Sequence, residues 1–361
     1  MNNISDIAKK PNGGIEASMS RAENSANIGN YLDAAKNYMN AAIGLQHLDQ
    51  IQKAAELYKR AGEYFYRSRD KFSSALAYCN AAQLYGVLRD IVNKRWCYDF
   101  AGVIHQKNGS YMEAAYCFYL AAQACLVEDE LENAGVFYDR AAKLMQQHNP
   151  DKVEFIFMNH LNSALAYAGC GKEQNYKESY SHFKTSINKK GYDPKDNFYF
   201  DKLIKALADN GLDDLAGKVY VEKMNLKVND LKVINLKSGV SKLIYQAWGK
   251  TSDYGENWPK WMLYSLGAIM LFSLIYFPNP WGYGLIELNM NRGFKYPVME
   301  NFIENIIMST YFSVTVFSTL GFGDIAPANW LAELVVIIEV LLGYAFLAIF
   351  ITLISRKLMR R

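Results

Sequence analysis

Thr319-Leu320-Gly321-Phe322-Gly323-Asp324 stands between two long apolar runs near the C-terminus and follows an aromatic, hydroxyl-rich segment, Tyr311 to Ser318. Gly and Asp favour turns for backbone reasons alone, so the last four residues taken in isolation read equally well as a plain turn. The flanks decide the matter. Trp261 to Phe277 carries no charge, and Leu331 to Ser355 carries only Glu333 and Glu339. A hydrocarbon core about 30 Å thick needs ~20 apolar residues as helix, so both runs are candidate spans, the first slightly short. Trp258, Trp261 and Tyr264 at the start of the first span, and Tyr276 and Trp281 at its end, occupy interfacial anchor positions. Glu304 to Ser318 has no charge after Glu304 and is too short to cross. It leads straight into the glycine-containing stretch and reads as a re-entrant helix.

In that setting the six residues suit a cation leaving water. Such an ion needs oxygens to replace its hydration shell, and small residues on an extended strand let successive backbone carbonyls point at a shared axis. Gly321 and Gly323 supply the permissive backbone, Thr319 adds a hydroxyl at the inner end, and Asp324 places a negative charge at the outer mouth, where it concentrates cations. The coordinating atoms are expected to be the carbonyls of Thr319, Leu320, Gly321 and Phe322, with Gly323 completing the strand.

Residues 258 to 361 resemble the two-transmembrane potassium channel pore family: outer helix, pore helix, filter and inner helix. The resemblance is carried by Tyr311-Phe312-Ser313-Val314-Thr315-Val316-Phe317-Ser318 and by Thr319-Leu320-Gly321-Phe322-Gly323-Asp324, which parallels the family's Thr-Val-Gly-Tyr-Gly-Asp filter. Pro327 follows the filter as it often does there, and Gly343, twenty residues beyond Gly323, resembles the family's inner-helix hinge glycine. The resemblance implies four copies around one pore, permeant K+ ions and no other cofactor. Leu320, Phe322 and Ser318 depart from the family's Val, Tyr and Thr, and Thr315-Val316 reverses a common order. Phe322 has no hydroxyl to tether the filter to its aromatic surroundings, which makes a non-selective cation pore the nearest rival.

Charge sets the expected orientation. Arg356, Lys357, Arg360 and Arg361 follow the second span and Lys242, Lys250 and Lys260 precede the first, whereas the loop between spans balances Arg292 and Lys295 against Glu287 and Glu300. Both termini are therefore expected in the cytoplasm, across an inner or plasma membrane. Met1 to Asn30 is polar, without the apolar core of a signal peptide. The odd count of five cysteines, Cys79, Cys97, Cys117, Cys125 and Cys170, falls on helical patterns without metal-type pairing, so they read as reduced core residues. Glu339 is an ionisable group inside a span, expected behind the filter near the pore helix, while Glu333 is near enough to the span end to be solvated.

The first two thirds of the chain carry a repeat. Residues 38, 58, 78, 98, 118 and 138 are Tyr, Tyr, Tyr, Tyr, Phe and Tyr, and residues 41, 61, 81, 101, 121 and 141 are all Ala. Flanking small residues, among them Ala35, Ala55, Gly62, Ala75, Gly102 and Gly135, share a helical face with them and permit close helix approach. Turn residues recur in step at Gly29-Asn30, Asp49-Gln50, Arg69-Asp70, Arg89-Asp90, Asn108-Gly109 and Glu128-Asp129. Each twenty-residue unit is thus one helix of about four turns with a short connection, and pairs of units make hairpins. This pattern resembles tetratricopeptide repeats, in particular the long-helix variety of soluble NSF attachment proteins, over residues 16 to 225.

The expected organisation is all-α: a disordered 1–15, an α-solenoid over 16–225, a linker with an interfacial helix over 226–257, and the pore domain over 258–361. Val228 to Leu236 reads as either a strand or a linker. Val240 to Trp248, with Leu243, Ile244 and Trp248 on one face, reads as a helix on the inner membrane surface or as a solenoid cap. No phosphate-cradling Gly-rich loop, no histidine pair at metal spacing and no arginine-spaced voltage sensor is present in the sequence, so no enzyme chemistry is expected. A net charge of +3, with basic residues tracking the membrane face, calls for no nucleic acid. With few residues after Ser355, control is expected to enter through the solenoid, by a protein or peptide partner. The rival from another class is a membrane-tethered repeat scaffold with a vestigial pore.

Overall fold

In a computed structural model of the chain, residues 11–277, 286–288, 302–327 and 329–359 are described; the expected anchor Trp281, the loop charges at 292, 295 and 300, and residues 1–10 lie outside them. Two compact units divide the chain, Met1–Ala216 and Gly217–Arg361.

The first unit is built from helices in strict succession: α1 (Pro11–Asn27), α2 (Tyr31–His47), α3 (Ile51–Arg67), α4 (Lys71–Val87), α5 (Ile91–Lys107), α6 (Tyr111–Val127), α7 (Leu131–His148), α8 (Val153–Gly169), α9 (Glu173–Lys190) and α10 (Asn197–Asp209), with the start of α11 (Asp213–Asp230). The starts of α2 to α7 are twenty residues apart, as the repeat requires. Each helix stops for a local reason. Gly29, Asp49, Arg69, Arg89, Gly109 and Asp129 all have positive φ, one per period. The next residue's N–H reaches back five residues, as in Gln50 N to Leu45 O (2.9 Å) and Ser110 N to His105 O (3.0 Å), closing a Schellman motif. Asn30, Asp70 and Asp90 then cap the following helix by accepting from the backbone N–H three residues on. A turn of three residues that ends one helix and starts another fixes the hairpin geometry in every repeat.

The six repeat alanines have no exposed surface, and the six aromatics at the companion position are buried to within a few per cent. The small residues beside them are small because a ring occupies the space. A Cβ on Gly62 would lie 2.9 Å from the Tyr78 ring, one on Gly102 would lie 2.6 Å from Phe118, and one on Gly135 would lie 2.8 Å from Tyr167. Phe118 cannot swing away, since it has no exposed surface and the Arg140 guanidinium lies 3.9 Å above its ring. Gly102→Leu is therefore expected to destabilise the repeat region by ~3 kcal/mol, the upper end of overpacking penalties. Gly102→Ala should fall nearer balance, because it gains ~1 kcal/mol of helix propensity. Thermal unfolding of the purified full chain followed by circular dichroism checks the order of the two.

One expectation is corrected here and one open choice is narrowed. Residues 11–15 are helical, not disordered: Pro11 begins α1, and Ile15 packs over Gly44 of α2, where an added Cβ would meet its side chain at 2.8 Å. Val228 to Leu236 is not a strand. α11 runs on to Asp230, and Asn235, its side chain accepting from Ser238 N, starts α12 (Leu236–Ser252) through a capping box.

In the second unit α12 is followed by a 3-10 turn (Asp253–Gly255) and then by α13 (Trp258–Tyr276), β1 (Ile286–Leu288), α14 (Phe302–Phe317), β2 (Ile325–Pro327) and α15 (Trp330–Met359). Trp248 turns into a small core with Met224, Val228 and Tyr254, whereas Leu243 and Ile244 stay exposed, so the three do not share one free face. α13 and the Trp330–Ser355 part of α15 are long and apolar enough to cross a membrane. Only 17% and 11% of their apolar windows are buried, unlike core helices of a water-soluble domain, whose apolar faces turn inward. α14, sixteen residues long, is too short to cross and packs between them.

Candidate ion pathway

α14 ends as the solenoid helices do. Thr319 has φ +57°, its N–H bonds to Val316 O (3.0 Å), and Leu320 N–H reaches back to Thr315 O (3.0 Å). A β-branched residue at positive φ is rare and carries about 1–3 kcal/mol of strain. Gly321 (φ +46°) and Gly323 (φ +73°) repeat the sign change at alternate residues. The chain from 319 to 324 thus leaves the helix end in a conformation that regular strand or helix would not give. Within one copy all six residues are exposed, Leu320 and Phe322 to 62% and 60%. Beyond Asp324 the chain enters β2, which pairs antiparallel with β1, Leu288 opposite Ile325 and Ile286 opposite Pro327. That two-stranded ribbon fixes the exit of the stretch and had no signal in the sequence.

The supports of this stretch are polar contacts that only the fold brings together. The Tyr311 hydroxyl donates to Asp324 Oδ2 at 2.8 Å, tying α14 to the far end of the stretch. Behind α14, Glu339 of α15 has no exposed surface. Its Oε1 accepts from Ser313 Oγ (2.6 Å) and its Oε2 from the Tyr276 hydroxyl (2.7 Å), so one carboxyl group joins α13, α14 and α15. Ser313 Oγ also lies 2.9 Å from Ile269 O, and Ser273 Oγ meets Ser309 Oγ (3.2 Å) and Thr310 Oγ1 (2.9 Å) across the α13–α14 contact. Glu339 lies buried beside the short helix α14, as expected of it. Its two donors are uncharged hydroxyls, which satisfy both oxygens without an ion pair.

Two expected interfacial anchors have other partners. Tyr276 is fully buried, because its hydroxyl is taken by Glu339 and its ring meets Phe312 edge-on at 4.9 Å. Trp261 donates its indole N–H to Phe346 O (3.1 Å) and stacks on Phe350 (5.0 Å), closing the start of α13 onto α15. Trp258 and Tyr264 are exposed, as anchors would be.

Gly343 meets α14 directly. A Cβ there would lie 2.1 Å from the carbonyl oxygen of Phe317, the last residue of α14. α15 therefore approaches the helix end that launches the 319–324 strand with no side chain between them, a second demand on this position beyond any bending.

Comparison with known proteins bears on the same segment. Residues 261–360 match the family model described as "Ion channel". No curated protein matches the chain. Among solved structures the chain is similar to BtubC (BKLC) from P. vanneervenii, with 15% identity, 62% of this chain and 94% of that one covered, and a TM-score of 0.34. The segment that matches the ion-channel family model, residues 261–360, is preceded by a stack of helical hairpins.

Proposed function

We propose that the chain assembles as a tetrameric, potassium-selective channel of the inner or plasma membrane, with both termini in the cytoplasm and its helical repeats serving as a sensor or assembly domain. The observation that carries this reading is the stretch from Thr319 to Asp324, irregular in a single copy where the sequence suggests an extended strand. Its alternating positive φ values, two glycines and exposure on a single copy suit a ring in which carbonyls of several chains converge on one axis. One strand cannot enclose an ion, so copies are required; four is what the family resemblance implies.

The departures at Leu320 and Phe322 leave the carbonyls in place, and the hydroxyl missing from Phe322 has a counterpart close by. Tyr311 holds Asp324, two residues further on. That tether supports selectivity over the non-selective alternative. Recordings of purified protein in planar bilayers under opposed potassium and sodium gradients test it: a reversal potential near the potassium equilibrium value is expected, and equal permeability would exclude selectivity. Gly321→Val, placing a branched side chain at φ +46°, is expected to abolish current without removing protein from the membrane fraction. If that variant retained full biological activity, the scaffold reading would replace the channel one. Removal of residues 1–225 is expected to change open probability or assembly; neither changing would dismiss the control role of the repeats.

A further inference from the structure

The five cysteines are free, four of them within helices and Cys170 at the end of α8, but two of them are not merely core residues. Cys79 of α4 and Cys117 of α6 bring their sulfurs to 3.7 Å, and His105 of α5 places a ring nitrogen so that all three ligand atoms lie within 4.8 Å of one another. The sequence hides this because the residues are 26 and 12 positions apart, on three successive helices. It does leave one trace. The register position of His105 is filled in the other repeats by Leu45, Phe65, Tyr85, Cys125 and Met145, all buried. A histidine there breaks an otherwise apolar position, and such local breaches mark functional sites.

We propose that Cys79, His105 and Cys117 form a three-ligand site for a soft divalent metal, zinc in the first instance, that clips α4, α5 and α6 together. The spacing fits. Two thiolates bound at ~2.3 Å to a tetrahedral zinc stand ~3.8 Å apart, whereas a disulfide requires ~2.05 Å. His105 is 8% exposed and its Nδ1 has no hydrogen-bond partner among the described residues, a polar atom left over in a core position. Cys117 is 5% exposed, while Cys79 is only partly buried and gives the metal access. Two thiolates and an imidazole discriminate against magnesium and calcium, which take oxygen ligands. Three protein ligands leave a fourth tetrahedral position for water or a further group. The site stands independently of the pore.

The test uses the full purified chain, stripped by chelator and kept reduced. Zinc titrated against a chromophoric chelator should load one equivalent per chain, and cadmium should produce thiolate-to-metal charge-transfer absorbance. Cys79→Ser with Cys117→Ser should abolish both signals, Cys97, Cys125 and Cys170 remaining as internal controls. His105→Leu restores the apolar register, so it should keep the wild-type melting temperature without metal, yet weaken zinc binding roughly tenfold or more and lose the zinc-induced rise in melting temperature. No stoichiometric binding to the reduced wild-type chain would overturn the proposal. So would binding unchanged in both variants, or a Cys79–Cys117 crosslink under oxidant as the sole reaction of the pair.

Discussion

Gly343→Ala should abolish current while leaving the helical repeats folded, and should destabilise the second unit by ~3 kcal/mol or more. The new methyl group would stand 2.1 Å from Phe317 O, far inside contact distance. The obstacle is a backbone carbonyl at the end of α14, so no rotamer change relieves it. Either α15 shifts outward or the helix end moves, and the helix end carries Thr319 and the strand that follows. A hinge glycine would behave differently, because Ala is well tolerated within a helix and would mainly stiffen it. The two roles separate on a second variant. If close approach is what matters, Phe317→Ala combined with Gly343→Ala stays inactive, since the carbonyl remains. Current in single-channel recordings of Gly343→Ala at the wild-type amplitude would show that the approach is dispensable and return the residue to a purely conformational role.

How far the sequence foretold this site depends on the range of each contact. The solenoid was legible because its period places each determinant within one turn of helix or one neighbouring helix: the positive-φ residue at 49, 69, 89 and 129, the cap at 70 and 90, the alanine facing a ring. The break at 319–324 between two apolar helices was legible because its glycines and flanking spans are contiguous. Tyr276 was misjudged as an interfacial anchor because its partner lies 63 residues away on another helix, and an aromatic at a span end looks the same whether its hydroxyl meets headgroups or Glu339. The β1–β2 pairing had no pattern to read, as three residues per strand show no alternation. The demand on Gly343 was assigned to bending because a sequence displays the absent side chain and not the carbonyl that fills its place.

Glu339 tests whether the three helices of the pore unit are held by one carboxyl group. Glu339→Ala removes the acceptor shared by the Ser313 and Tyr276 hydroxyls, both on residues without exposed surface. Ser313 can turn to Ile269 O, 2.9 Å away, but the Tyr276 hydroxyl is left orphaned at a cost of about 1–3 kcal/mol, so the variant is expected to unfold the second unit below the wild-type temperature. Glu339→Gln should be far milder. Its amide offers one oxygen to accept and one NH2 to donate, and either hydroxyl can rotate to receive that donor. Full rescue by Gln would assign the group a neutral bridging role; failure of Gln with intact packing would mean that a two-acceptor carboxyl is required. Replacing all three, with Glu339→Leu, Tyr276→Phe and Ser313→Ala, removes donors and acceptor together and should recover most of the loss, since a polar cluster deleted whole leaves nothing unsatisfied. The measurement is thermal unfolding of the purified chain in detergent, read with current in bilayers. Glu339→Ala melting with the wild type would end the argument. Recovery of stability without current in the triple variant would show that the carboxyl does more for the 319–324 strand than hold helices in place. The expected route is Ser313, one turn before the carbonyl of Phe317 against which Gly343 packs.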